Sequence, residues 1–212
     1  MLKRTNLYQI KMEGVNKNIE ESFKCLLLML KHLKSFISEA SEDKRKDIFE
    51  LEDKVNEIEV LVEKQIIELL SLQQPHVHEM KRLLSNMKIN RELERIGDHI
   101  INFINMYQLS SSHPKWMKEE LINIVEQEAE MLQNVYYGIT KEEASYLKTA
   151  IKADDKIDDL HIVLFEKLVS EMKQNTLKVE TGSQLIVMIR FLERLGDHIV
   201  NAGETHLEYF IE

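Results

Sequence analysis

A charged octet written twice limits what this chain can become: LERIGDHI at residues 93–100 and LERLGDHI at residues 192–199. A second pair of strings, EDKVNEI at 52–58 and DDKIDDL at 154–160, recurs 102 residues apart, against 99 for the octets. The strings keep the same order in both halves. The chain therefore reads as two copies of one unit, the second with an internal connection about three residues shorter.

Each copy is helical by its periodicity. Ile48, Leu51, Val55, Ile58 and Val62 alternate at spacings of three and four, the pattern of a bundle seam. With only 6 Gly and 2 Pro in 212 residues, a fold of many short strands and turns is excluded. Breaks are written at QQP (73–75), LSSSHP (109–114), GITKEE (138–143) and KQNTLKVETG (173–182). Pro75 suits the first turn of a helix. Thr140 is placed to N-cap, with Glu143 three residues on as in a capping box. Six helices follow, near 10–39, 42–72, 75–109, 114–137, 141–174 and 180–209. The expected fold is all-α: two tandem antiparallel three-helix bundles related by an internal pseudo-twofold repeat, residues 1–112 and 113–212.

Composition narrows the function classes. Apolar residues at 43% and charged residues at 31% describe an ordinary globular chain. A net charge of −9 argues against sequence-independent nucleic-acid binding, which requires a basic surface. The longest apolar run, CLLLML at 25–30, is far too short to span a bilayer, and the first twenty residues lack a secretory apolar core. A cytoplasmic protein that meets a membrane only through partners is expected. The lone Cys25 excludes an intrachain disulfide and reads as a buried apolar thiol.

The repeated charges fall at fixed helical positions. With Leu93, Gly97, Ile100 and Ile104 as the seam of the third helix, Glu94 and Asp98 sit at heptad positions e and b, adjacent on one shoulder. The second helix gives those places to Glu52 and Asn56, the fifth to Asp154 and Asp158, and the sixth to Glu193 and Asp197. The neighbouring Asp53, Glu57, Asp155 and Asp159 fall outward and read as solubilising charge. Glu59, His161, Asn105 and Glu204, one turn farther on, are further candidates.

Like charges at i and i+4 cost an isolated helix roughly 0.2–0.5 kcal/mol. Two shoulders packed together would gather four carboxylates in the second half and three in the first, and a cation relieves that repulsion. Oxygen donors suit hard ions such as magnesium, calcium, manganese or iron, with zinc also admitted. A single Glu-x-x-x-Asp pair is more often a solvated helix face; recurrence with identical flanks favours a site. Gly97 and Gly196 lie in the seam, where the missing side chain lets a neighbouring helix approach, although an interior glycine costs about 1 kcal/mol relative to Ala. Arg95 and Arg194 are placed to neutralise excess charge. His99 and His198 point about 100° away from the preceding aspartates and suit supporting or surface roles rather than direct coordination.

NRELERIGDHIINFIN and RFLERLGDHIVNAGE resemble the paired signature of the PhoU family of phosphate-uptake regulators. LLSLQQPHVHEMKRLLSNMKIN resembles the stretch before its first signature. The likeness spans roughly residues 10–212. It implies two symmetric three-helix bundles whose E(D)xxxD motifs hold metal clusters, iron in some members, on the bundle surface. It also implies a cytoplasmic negative regulator of phosphate uptake and phosphate-starvation signalling; a homodimer is the expected assembly, apart from the resemblance. The implied partners are the phosphate ABC transporter ATPase and its phosphate-sensing histidine kinase. By position, the motif falls on Glu52, Asn56, Glu94 and Asp98, then on Asp154, Asp158, Glu193 and Asp197. Asn56 replaces an acid, which implies weaker metal binding in the first half, and Glu79 and Lys81 stand where the family often has Asp and Arg. Some PhoU-like domains serve sodium–phosphate cotransporters, an alternative for this chain. A ferritin-like dimetal oxidase is the less favoured reading, because none of the 8 histidines has a glutamate three residues before it. With no nucleophile–base pair and no phosphate-cradling glycine loop, no enzyme is expected.

Overall fold

Short connections between long amphipathic helices force antiparallel neighbours, and that is the arrangement found. The computed structural model describes residues 2–39, 41–73, 75–110 and 113–210. It contains six helices, α1 (Leu2–Glu39), α2 (Glu42–Gln73), α3 (Val77–Leu109), α4 (Lys115–Lys141), α5 (Ala144–Lys173) and α6 (Val179–Phe210), with no strand among the described residues. Helices α1, α2 and α3 pack on one another, as do α4, α5 and α6. The two bundles join where α3 lies along α6 and α1 along α4. The division expected between residues 112 and 113 falls at Ser111 and Ser112, outside the described residues; we propose that the two units separate in that connection.

The seams are buried as their spacing demands. Ile48, Val55, Ile58 and Val62 of α2, Leu93, Ile100 and Ile104 of α3, and Leu192 and Ile199 of α6 all lie in the core. Each such side chain contributes roughly 1.5–3 kcal/mol of burial. Helices α3 and α6 bury more than one stripe, because each faces its own bundle and the other bundle at once. Cys25 is buried and free, as expected.

Three helix ends differ from the sequence expectation. Helix α1 begins at Leu2 rather than near residue 10; Leu7 and Ile10 point outward, so the apolar period is not visible there, while Met12 and Val15 carry the buried stripe. Thr140 does not cap a new helix. It lies inside α4, with its hydroxyl donating to the Tyr136 carbonyl at 2.8 Å. Helix α4 runs on to Lys141 and ends at Glu142, which takes left-handed backbone at φ 53°. A Cβ at Gly138 would collide with Leu147, so glycine lets the α4–α5 hairpin close there. Helix α3 starts at Val77, two residues past Pro75, where the His76 amide donates to Glu79 Oε2 at 2.7 Å.

Candidate metal site

In the second bundle the shoulders of α5 and α6 meet. The Oδ1 atom of Asp154 lies 2.8 Å from the point a Cβ on Gly196 would occupy. Gly196 thus makes room for a carboxylate, not only for a neighbouring backbone. Burial pushes the Asp154 carboxyl up to about 6, and the charges of Asp158, Asp197, Asp155 and Glu193 push in the same direction. Burial also raises Asp197, aided by Asp158. Glu193 Oε2 is buried with no hydrogen-bond partner among the described residues. Among the described residues, the side chains of Asp154, Asp158, Glu193 and Asp197 make no hydrogen bond or ion pair. The two helices therefore bring all four acids into one repulsive neighbourhood. As their side chains stand, no group of three or more His, Cys, Asp or Glu among the described residues is gathered tightly enough to hold a metal ion. Ligation by this set would require a change of side-chain rotamer, open to the exposed Asp158 and Asp197 and narrower for the half-buried Asp154 and Glu193.

The first bundle has the same plan with its charge already relieved. Glu52 Cγ lies 3.7 Å from where a Cβ on Gly97 would be. Asn56 Nδ2 donates to Glu52 Oε1 at 2.7 Å, occupying with an amide the place that Asp158 takes in the second bundle. Arg95 Nη1 donates to Asp98 Oδ2 at 2.9 Å and its Nε lies 3.5 Å from Glu94. Burial raises Glu52 and Glu94, with Asp98 adding to both. Asp53, Glu57, Asp155 and Asp159 face solvent, as their heptad places require, and so do the further candidates Asn105 and Glu204.

Two features were not read from the sequence. The octet histidines meet at the joint between bundles: the His99 and His198 rings stack at 5.2 Å and 21°. His198 Nδ1 lies 2.7 Å from Glu92 Oε2, which also accepts from Asn201 at 3.3 Å. On the opposite side His99 packs against Phe191, which stands 99 residues after Glu92, the offset of the octets. The joint is pseudo-symmetric in position, polar on one side and aromatic on the other. The second feature is Glu128 of α4, fully buried with neither oxygen hydrogen-bonded among the described residues. Burial pushes its carboxyl well up, and Asp154 adds to this. A glutamate inside the apolar spacing of Leu121, Val125, Leu132 and Val135 was a legible signal. An exposed apolar pair is also repeated: Val60 and Leu61 on α2, with Ile162 and Val163 on α5, again 102 residues apart.

Asp154 gives the site a pH signature. Its folded value of about 6 stands above the ordinary 3.8. The folded chain therefore holds a proton that the unfolded chain has lost across that window. This stabilisation is complete below 3.8 and is lost as pH rises through 6. In chelator, Asp154→Asn is expected to raise Tm at pH 8 and leave it nearly unchanged at about pH 3, below both values. A chain of this size gains about 2–4 °C if about 1 kcal/mol of repulsion survives solvent screening. Equal shifts at both pH values in thermal melts would contradict this.

The fold is thus an all-helical duplicated scaffold with acid pairs opposed across a glycine contact in each half. The PhoU domain matches residues 19–106 and 121–205, most of the chain. The chain belongs to the PhoU family, whose members are regulatory accessory proteins and not enzymes. It is 27% identical over 191 residues to the phosphate-specific transport system accessory protein PhoU homolog of Streptococcus pneumoniae serotype 4, covering 88% of each chain. To the protein of the same name from Clostridium acetobutylicum it is 24% identical over 171 residues, covering 80% of this chain and 78% of the other. Its fold is that of crystallised PhoU from Pseudomonas aeruginosa, at TM-score 0.87 and 19% identity over 95% of this chain and 98% of that one. The phosphate transport system regulatory protein PhoU from S. pneumoniae superposes at 0.84 with 20% identity, covering 95% and 96%.

Proposed function

We propose that this chain is a cytoplasmic, non-enzymatic negative regulator of phosphate uptake and phosphate-starvation signalling. Its proposed partners are the phosphate ABC transporter ATPase and the phosphate-sensing histidine kinase, engaged as a homodimer. The observation that carries this reading is the octet repeated on α3 and α6, its acids opposed to those of α2 and α5 within a PhoU-family chain. The names of the relatives, accessory proteins of phosphate-specific transport, support the same reading. No helix among the described residues is long and apolar enough to cross a membrane, which fits contact with a transporter through its soluble subunit.

In this reading Asp154, Asp158, Glu193 and Asp197 hold a hard cation, and Glu52, Asn56, Glu94 and Asp98 hold one more weakly. Iron, manganese, magnesium and zinc are the candidates. The all-oxygen donor set and the orphaned buried oxygen of Glu193 support this assignment. A bound cation supplies positive charge between two acidic shoulders and so fixes α5 against α6. The exposed apolar pairs on α2 and α5 give a partner a hydrophobic hold.

Deletion of the gene tests the regulatory role. Phosphate-starvation genes are expected to be expressed in phosphate-rich medium. Expression that stays repressed there would overturn the role.

A further inference from the structure

Helix α3 buries one face and leaves a second apolar stripe open. Val77, Met80, Leu84 and Met87 recur at spacings of three and four, so they share a side of the helix. Val77 is 76% exposed, Met80 42% and Leu84 40%, and Met87 is half-buried. The stripe runs into a groove of about 380 Å³ between α2 and α3. Glu59 and Glu63 of α2 line one edge of this groove, and Leu84, Met87, Lys88 and Arg91 of α3 line the other. Tyr209 of α6 holds Lys88 in place: the Lys88 amine lies 5.0 Å from the ring centroid and donates to the hydroxyl at 3.1 Å. Among the described residues, no ion pair joins the acids of the α2 edge to the bases of the α3 edge.

An apolar strip with an acidic edge and a basic edge is complementary to itself. A second copy turned about a twofold axis along the groove sets its α2 over this α3, and its α3 over this α2. Glu59 and Glu63 of each copy then meet Lys88 and Arg91 of the other, with the apolar strips between them. A twofold axis across the groove would lay acid on acid and base on base, so charge selects one orientation. The product has an apolar centre and a polar rim, the layout of specific interfaces. The second bundle lacks these features. At the repeat offset of 102, Glu59 and Glu63 correspond to His161 and Phe165; at the offset of 99, Leu84 and Lys88 correspond to Ser183 and Val187. Its valley has no such acidic edge, so self-pairing belongs to the first bundle.

We propose that the α2–α3 face of the first bundle is the interface of a homodimer, formed with a second copy of this chain about a twofold axis along the groove. This rests on the reading of the chain as a homodimer. It adds the surface, the orientation and the four charged residues that fix them, and it leaves the α5–α6 face uncovered.

Analytical ultracentrifugation of the full-length chain at micromolar concentration tests this through charge reversals. The parent is expected to sediment as a dimer. Lys88→Glu with Arg91→Glu sets acid against acid at both edges and should weaken self-association by at least about 100-fold. Glu59→Lys with Glu63→Lys sets base against base and should do the same. An equimolar mixture of the two variants should dimerise again, because every edge contact between unlike copies is then between opposite charges. Damage to the fold of either variant would not be repaired by mixing. Leu84→Asp, in the apolar strip, should also give monomers. Circular dichroism checks folding, and Glu63→Lys mixed with Lys88→Glu, both at exposed positions, carries the test if a double variant misfolds. Variants that dimerise on their own as tightly as the parent would overturn this face while leaving a homodimer intact. Folded variants that stay monomeric when mixed would also overturn it. A monomeric parent would overturn both the face and the homodimer.

Discussion

If the proposed second cation site is real, a chain carrying Glu193→Ala and Asp197→Ala together is expected to lose it and keep its fold. In the proposed set these two side chains are the motif donors of α6, so their removal leaves motif donors on only one of the two helices. Affinity for a hard ion follows the number and charge of its oxygen ligands, and loss of two carboxylates should weaken Mn²⁺ binding there by at least about 100-fold. The fold should survive because neither residue belongs to the apolar core. In chelator the variant should melt higher than the parent, since Asp154 and Asp158 no longer face like charges from α6. Asp155→Ala with Asp159→Ala, on the solvent face of α5, is the control and should leave bound metal unchanged. Elemental analysis after dialysis against Mn²⁺ measures both. Equal metal content in the α6 variant and the parent would show that these acids are not donors.

The largest expected loss of stability lies in the shared helix α3. Phe103 is fully buried there and stacks on Tyr107 with ring centroids 5.9 Å apart. Helix α3 packs on α1 and α2 within its bundle and on α6 across the joint, so a cavity at Phe103 cannot be closed by moving one neighbour. Phe103→Ala should lower the free energy of unfolding by about 3–5 kcal/mol, read as a fall in the urea midpoint at unchanged slope. A change below about 1 kcal/mol would mean that the core collapses around the gap.

Much of this arrangement is legible in the sequence because the repeat writes the same register twice. The heptad places of Glu94, Asp98, Glu193 and Asp197 follow from the seams, and the same count sets Asp53, Glu57, Asp155 and Asp159 apart from these shoulder acids, although Asp158 and Asp197 are exposed as well. What periodicity does not state is which face of a helix meets which partner. The stacking of His99 on His198 depends on α3 lying along α6, a contact between residues 99 positions apart with no local signal. Glu128 was within reach, since an acid inside an apolar stripe breaks the pattern, but its neighbour Asp154 belongs to another helix. Thr140 failed as a cap for a local reason. A mid-helix hydroxyl can bond back to a carbonyl four residues earlier, and the close contact of Gly138 with Leu147 carries α4 on to Lys141. Gly196 was read correctly as a place of close approach, yet what approaches is the carboxylate of Asp154.

Crystals of the full-length chain grown with Mn²⁺, with diffraction recorded at the manganese absorption edge, locate the ions directly. The expected result is an anomalous peak between α5 and α6, bounded by Asp154, Asp158, Glu193 and Asp197, with a weaker peak or none beside Glu52 and Asp98. Manganese found only on solvent-facing acids such as Asp155 and Asp159, with none between the two helices, would contradict it.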